Sequence, residues 1–295
     1  MNRFEVNCSI LFGELPLLER PAAAKAAGFD AVEFWWPFAE AVPADKDVDA
    51  FVAAIADAGV SLVGLNFVAG DMPAGDRGLV SWLGREQEFR DNAEVVAAIG
   101  ERTGCRAFNA LYGNRIEGAD PAAQDELATE NLHHAAKAVE AIGGTVLIEP
   151  VSGAPRYPLL TAADAVAVID RAAERGASNF ALLADLYHLA VNGDDVARAI
   201  NDHAGRIGHV QIADAPGRHE PGTGELDLDG YLTQLRHVGY DGWIGLEYNP
   251  SRRPTTTPHG DASRPVSSGA SADSFGWINR SAERATGTVG RATPH

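Results

Sequence analysis

The chain is poor in sulfur, in positive charge and in long apolar runs. Of its 295 residues only two are cysteine and two methionine. Cys8 and Cys105 stand far apart, with no Cys-x-x-Cys spacing and no histidine beside them. A disulfide scaffold and a cysteine-rich metal module are thereby excluded, and both thiols are expected as small buried groups in a reducing compartment. No apolar run approaches the roughly 18 residues that span a bilayer. The opening Met1-Asn2-Arg3-Phe4-Glu5 lacks the apolar stretch of a secretory signal, so a cytoplasmic protein away from membranes is expected. Neither a phosphate-binding glycine loop followed by Lys-Ser/Thr nor a GxGxxG fingerprint occurs, and no nucleotide cofactor is expected. Lys and Arg number 24 against 41 Asp and Glu, a net charge of −17. Such a field repels nucleic acid and anionic membrane. A small anionic ligand would need a local positive site, from arginines or a metal.

What the chain has is apolar content, 45% of residues, and a repeated junction. A helical stretch, a glycine and an apolar run recur at Gly28, Gly59, Gly104, Gly143/Gly144, Gly176, Gly205 and Gly239. Glycine after the last helical turn is a left-handed stop, because it lacks the Cβ that clashes at positive φ. Seven joins plus an opening strand near Phe4–Ile10 give eight strands alternating with helices. That count predicts one (β/α)₈ TIM barrel over residues 1–250, the size range of this fold. Helical periods run through 48–55, 94–99 and 127–142, and Thr161-Ala162-Ala163-Asp164 predicts a capping box opening a helix through Ile169. After Tyr248 the composition turns to Pro, Thr, Ser, Gly and Arg, which predicts a flexible C-terminal extension over 251–295. Within it, the apolar island Phe275-Gly276-Trp277-Ile278 is expected to dock on the barrel.

Four of the strand-like runs end on an oxygen donor: Glu149, Asp185, Gln211 and Glu247. Singly, each carboxylate could just as well cap the next helix. On strands 5 to 8 of a barrel, however, the four lie along one side of one rim, within reach of one ion. An oxygen-only set suits a hard divalent cation, Mg²⁺ or Mn²⁺, better than Zn²⁺. His188, three residues past Asp185, can face the ion and donate to a substrate oxygen, or merely cap helix 6. His209 points to the same side as Gln211, towards the interior, as a packing or a functional residue. Glu33 ends strand 2 and is a candidate for binding substrate or nearby water, and Trp35-Trp36 beside it reads as a lid or a packing cluster. A carboxylate substrate would be gripped by an arginine, whose planar fork matches two oxygens. Arg77, Arg85 and Arg218 are the rim candidates, with Arg85 and Arg218 favoured by position.

The ordered motifs carry a resemblance. They are Asn7-x-Ser9-x-Leu11-Phe12-Gly13-Glu14, Gly28-Phe29-x-x-Val32-Glu33-Phe34, Ala69-Gly70-Asp71, Gly75-x-Arg77-Gly78 and Gly84-Arg85-Glu86-x-Glu88-Phe89-Arg90. Leu147-Ile148-Glu149-Pro150, Asp185-x-Tyr187-His188, Gly208-His209-x-Gln211-Ile212-Ala213-Asp214, Pro221-Gly222-Thr223-Gly224-Glu225 and Gly245-x-Glu247-Tyr248 complete the set. Across residues 4–250 the chain resembles the hydroxypyruvate isomerase family of xylose-isomerase-like barrels. The resemblance implies that Glu149 and Glu247 both bind the metal and exchange the substrate proton, with Asp185 and Gln211 as the other ligands. It implies a small 2-oxo acid substrate, hydroxypyruvate, converted to tartronate semialdehyde. A 2-oxo-tetronate or ketose isomerase or epimerase keeps the same chemistry; a metal-dependent nuclease and a non-catalytic binding barrel are the rivals of other classes. A homo-oligomer is compatible with all of these.

Overall fold

In the computed structural model, which describes residues 2–251 and 269–278, eight parallel strands close in chain order into one barrel. They are β1 (Arg3–Asn7), β2 (Ala31–Phe34), β3 (Ser61–Asn66), β4 (Ala107–Asn109), β5 (Thr145–Ile148), β6 (Phe180–Asp185), β7 (Ile207–Ile212) and β8 (Trp243–Leu246). Closure is by pairing of β1 with β8, where Val6 lies opposite Leu246. Around them run α1 (Arg20–Ala26), α2 (Asp45–Ala58), α3 (Glu86–Thr103), α4 (Pro121–Glu140), α5 (Ala162–Ala173), α6 (Leu186–Val191), α7 (Val196–Asp202) and α8 (Leu228–His237). The single-barrel expectation holds, and both cysteines are buried and unpaired.

Local chemistry explains the joins. Helices α2 and α3 end on Gly59 and Gly104 at φ 65° and 80°, where a side chain would be strained. Gly28, Gly143, Gly176 and Gly239 also take positive φ. Gly205 does not: α7 has already ended at Asp202, and a 3₁₀ turn over Ala204–Arg206 leads into β7 without a left-handed stop. The capping box forms as expected, with the Thr161 hydroxyl accepting from the Asp164 N–H and the Asp164 carboxylate accepting from the Thr161 N–H. Helix α4 starts before its alanine-rich period, because Asp120 caps it and Pro121 opens it.

Of the expected tail, residues 252–268 and 279–295 lie outside the described residues. The apolar island does dock: Trp277 meets Phe4 edge-on at 5.2 Å, and Phe275 meets Phe29 at 4.7 Å. Just before it, α9 (Gly269–Asp273) brings Ser271, whose hydroxyl accepts from the Phe12 N–H at 2.8 Å. Among the described residues no helix is long and apolar enough to cross a membrane.

Candidate active site

Period-two alternation sends Glu5 and Asn7 of β1, His209 and Gln211 of β7, and Gly245 and Glu247 at β8 inward in two levels. The upper level holds the expected cluster. Glu149 and Glu247 are the first residues past β5 and β8, Asp185 ends β6, and Gln211 sits one residue inside the end of β7. All four are buried. Ligand atoms of Glu149, Asp185, His188 and Glu247 lie within 4.8 Å of one another.

The capping and metal readings of Asp185 prove to be two oxygens of one carboxylate. Its Oδ1 accepts from the Tyr187 and His188 N–H groups at the start of α6, at 2.8 and 3.2 Å. Its Oδ2 is buried and accepts no hydrogen bond among the described residues, and the same is true of Gln211 Oε1. Buried acceptors left open beside two further carboxylates fit a hard cation. Electrostatics point the same way. Burial pushes the Glu149 carboxyl well above its usual range, and Glu247 and Asp185 add to the shift. Burial also raises Asp185, against the pull of Arg218, and lifts Glu247 to about 7 despite that guanidinium. Three carboxylates that resist joint ionisation are what a divalent cation relieves.

His188 is neutral here. Burial and the nearby Arg218 charge push it down to about 3. The Ser152 N–H donates to its Nδ1 at 3.1 Å, with the Ser152 hydroxyl 2.7 Å away. The ring proton therefore sits on Nε2, which points at Asp185 Oδ2 (3.5 Å) and Glu149 Oε1 (3.9 Å). The neutral ring is an N–H donor aimed into the site.

Beneath lies a second cluster. His209 Nε2 is 2.8 Å from Glu33 Oε2 and 3.5 Å from Glu5 Oε1. Burial opposes a charge on His209, but the two glutamates outweigh it and push the imidazole up to about 10. Glu33 Oε1 accepts from Gln211 Nε2 at 2.6 Å and from Asn7 Nδ2 at 2.9 Å. An ionised carboxylate only accepts, so it selects the nitrogen end of the Gln211 amide and turns the oxygen end towards the ion site. Room for this level comes from glycine: a Cβ on Gly245 would stand 2.6 Å from Glu5 Oε1 and 2.8 Å from Glu33 Oε1. Glu33 thus orients the Gln211 amide and is not among the residues that line the cavity, so of its two expected places, at the substrate or at nearby water, the structure does not put it at the first.

The upper cluster opens into a cavity of ≈ 310 Å³ walled by Trp35, Asn66, Met72, Arg77, Leu111, Ser152 and Arg218 among others. Arg218 is on the site as expected, bonded to the Glu247 carboxylate and 3.9 Å from Asp185 Oδ2. Asp214 builds its loop, accepting from the N–H groups of Ala215, Gly222, Gly224 and Leu226. Arg85 is elsewhere: Glu88 holds its Nε and Nη2 at 2.8 and 2.7 Å and Asp76 its Nη1 at 3.3 Å, at the start of α3. Glu88 of α3 and Asp76 of the loop before it captured that guanidinium, and Arg77 takes its place in the wall, held by the carbonyls of Met72 and Asp76. Residues the sequence reading passed over are Asn109, donating to Glu149 Oε2 at 2.7 Å, and Asn7, donating to Glu247 Oε1 at 3.1 Å. Asn109 ends the apolar run of β4, the signal that singled out the carboxylates, whereas Asn7 ends β1, where Arg3 and Glu5 interrupt that pattern. Trp35 donates its indole N–H to Glu247 Oε1 at 2.6 Å.

This constellation on this barrel coincides with known proteins. Residues 21–267 match the family described as xylose isomerase-like TIM barrel, and the chain belongs to that family. A Streptomyces coelicolor protein provisionally named hydroxypyruvate isomerase is 51% identical, with 96% of this chain and 98% of that protein covered. Hydroxypyruvate isomerase of Escherichia coli is 34% identical (88% and 97% covered), and 2-oxo-tetronate isomerase of Cupriavidus necator is 38% identical (85% and 94%). A Brucella melitensis structure described as AP endonuclease, family 2 superposes with a TM-score of 0.80 at 35% identity, over 95% and 99% of the two chains. Within the wider family the chain groups with the hydroxypyruvate isomerases and is an isomerase of the aldose–ketose type.

Proposed function

We propose that the protein interconverts hydroxypyruvate and tartronate semialdehyde. The observation that carries the reading is the meeting, in one buried cavity, of two separately held glutamates with a neutral N–H donor and a guanidinium. Glu149 is held by Asn109 through Oε2, and its Oε1, which accepts no hydrogen bond among the described residues, is free to take a proton from C3 of hydroxypyruvate. An enediolate results. Glu247 returns a proton to C2, while the hydroxyl proton passes from O3 to O2. His188 Nε2–H donates to the oxygen on which charge develops. Glu149, Asp185, Gln211 and Glu247 would hold a divalent cation, Mg²⁺ or Mn²⁺ on the donor set, which supplies charge stabilisation for the two enediolate oxygens. Arg218, with Arg77 of the same cavity wall as its helper, grips the substrate carboxylate inside a chain of net charge −17.

The C. necator relative supports a second reading, 2-oxo-tetronate as substrate, because one extra hydroxymethyl group leaves the reacting carbons unchanged. A nuclease reading, suggested by the name of the Brucella protein, fits poorly with so acidic a chain and a recessed cavity. The test is incubation of the purified protein with hydroxypyruvate, 2-oxo-tetronate and neutral ketoses in D₂O with Mn²⁺, followed by NMR. Product from hydroxypyruvate, with deuterium at C2, is expected. Conversion of a neutral ketose alone would overturn the reading.

A further inference from the structure

Beside the reacting cavity lies a larger one, ≈ 710 Å³, lined by Leu17, Trp36, Phe38, Val68 and Arg85 among others. Three residues belong to both walls: Trp35, Met72 and Pro73. Met72 and Pro73 sit in a turn closed by the Gly75 N–H on the Met72 carbonyl. Trp35, the first residue past β2, is fixed at both ends. Its backbone N–H donates to Ser9 Oγ at 2.9 Å, and its indole N–H donates to Glu247 Oε1 at 2.6 Å. The ring leaves its place only by giving up a charge-assisted bond to a catalytic glutamate.

We propose that Trp35 is the specificity-determining residue for substrate chain length: its ring partitions the two cavities and confines the site to acids of three or four carbons. A chain lengthening towards the larger cavity meets the wall of Trp35, Met72 and Pro73, of which Trp35 alone is bonded to Glu247; on the other sides stand Glu149, His188, Arg77, Arg218, Leu111 and Val151. The same bond that holds the wall orients Glu247, so chain length and proton transfer are read by one side chain. This rests on the substrate class proposed above and deepens it.

The test separates wall from chemistry. Glycerate, threonate and gluconate are hydroxy acids of three, four and six carbons with no carbonyl to isomerise. Their affinities for the Mn²⁺-loaded full-length protein are measured by calorimetry in wild type, Trp35→Leu and Trp35→Phe, each checked for an intact fold by circular dichroism. Wild type is expected to bind the two short acids at least about tenfold more tightly than gluconate. Trp35→Leu should bring gluconate to within about threefold of glycerate, while Trp35→Phe, which keeps a ring but loses the N–H, should preserve the order and lower kcat on hydroxypyruvate. An unchanged order in a folded Trp35→Leu protein overturns the proposal, as does a wild type that holds neither short acid or shows no order. If the order shifts as expected but no 2-oxo acid is turned over, length selection stands and the isomerase reading falls.

Discussion

Two histidine–carboxylate clusters occupy successive levels of this barrel, and their histidines sit in opposite charge states. In the upper one His188 is pushed down to about 3 and faces carboxylates with open oxygens. In the lower one His209 is pushed up to about 10 and is bonded to Glu33. Both rings are buried, so burial alone cannot separate them. What differs is contact and partner. His209 meets Glu33 at 2.8 Å, whereas His188 stands 3.5 Å or more from its carboxylates, with a backbone N–H on Nδ1 and Arg218 near by. In the lower cluster His209 and Glu33 compensate one another and fix a geometry, while both Glu5 oxygens accept no hydrogen bond among the described residues and burial, with Glu33 beside it, pushes that carboxyl well above its usual range. The upper one leaves its charge open for a ligand.

Function should therefore fail at the upper level and architecture at the lower. Glu149→Gln and Glu247→Gln each remove a proton-transfer group, and turnover of hydroxypyruvate should fall by at least about 10²-fold with melting temperature little changed. Full activity in both would mean the shuttle is misassigned. Arg218→Ala should raise KM for the 2-oxo acid, by about 1.5–3 kcal/mol of lost charge-assisted bonding, and should not affect a neutral ketose. Equal losses on charged and neutral substrates would break that assignment.

Glu33→Gln touches no substrate. It strands the His209 charge and frees the Gln211 amide to rotate. Calorimetry should show Mn²⁺ affinity reduced by about 10–100-fold, together with a lower melting temperature. Unaltered Mn²⁺ binding would detach the lower level from the upper. The smallest effect is in pH. The His209 pKa lies above its unfolded value near 6.5, so its contribution is complete below that pH and disappears as pH rises towards about 10. Glu33 is shifted the other way: burial raises it, His209 and Gln211 outweigh burial, and its contribution is lost on acidification. The stability gap between wild type and His209→Asn should accordingly narrow between pH 6.5 and 10, measured by urea denaturation of the metal-free proteins. A gap that stays constant there would mean His209 is uncharged in the fold.

The sequence by itself determined the barrel and the placing of Glu149, Asp185, Gln211 and Glu247 at the ends of its last four strands. Glycine stops and apolar runs are local signals, and a polar residue at the end of a buried strand has one place to go once the sheet closes. Asn109 was legible by that same rule; Asn7 was not, because Arg3 and Glu5 break the apolar run of β1. Only the tertiary structure decided which neighbour each long polar side chain found. Arg85 was taken by Glu88 and Asp76, Arg77 stood in the cavity wall instead, and Glu33 was drawn under the site by His209 and Gln211, 176 and 178 residues away. Charge states followed the same logic: His188 and His209 have the same chemistry in the sequence, and contacts of a few ångströms, made between distant strands, separated them.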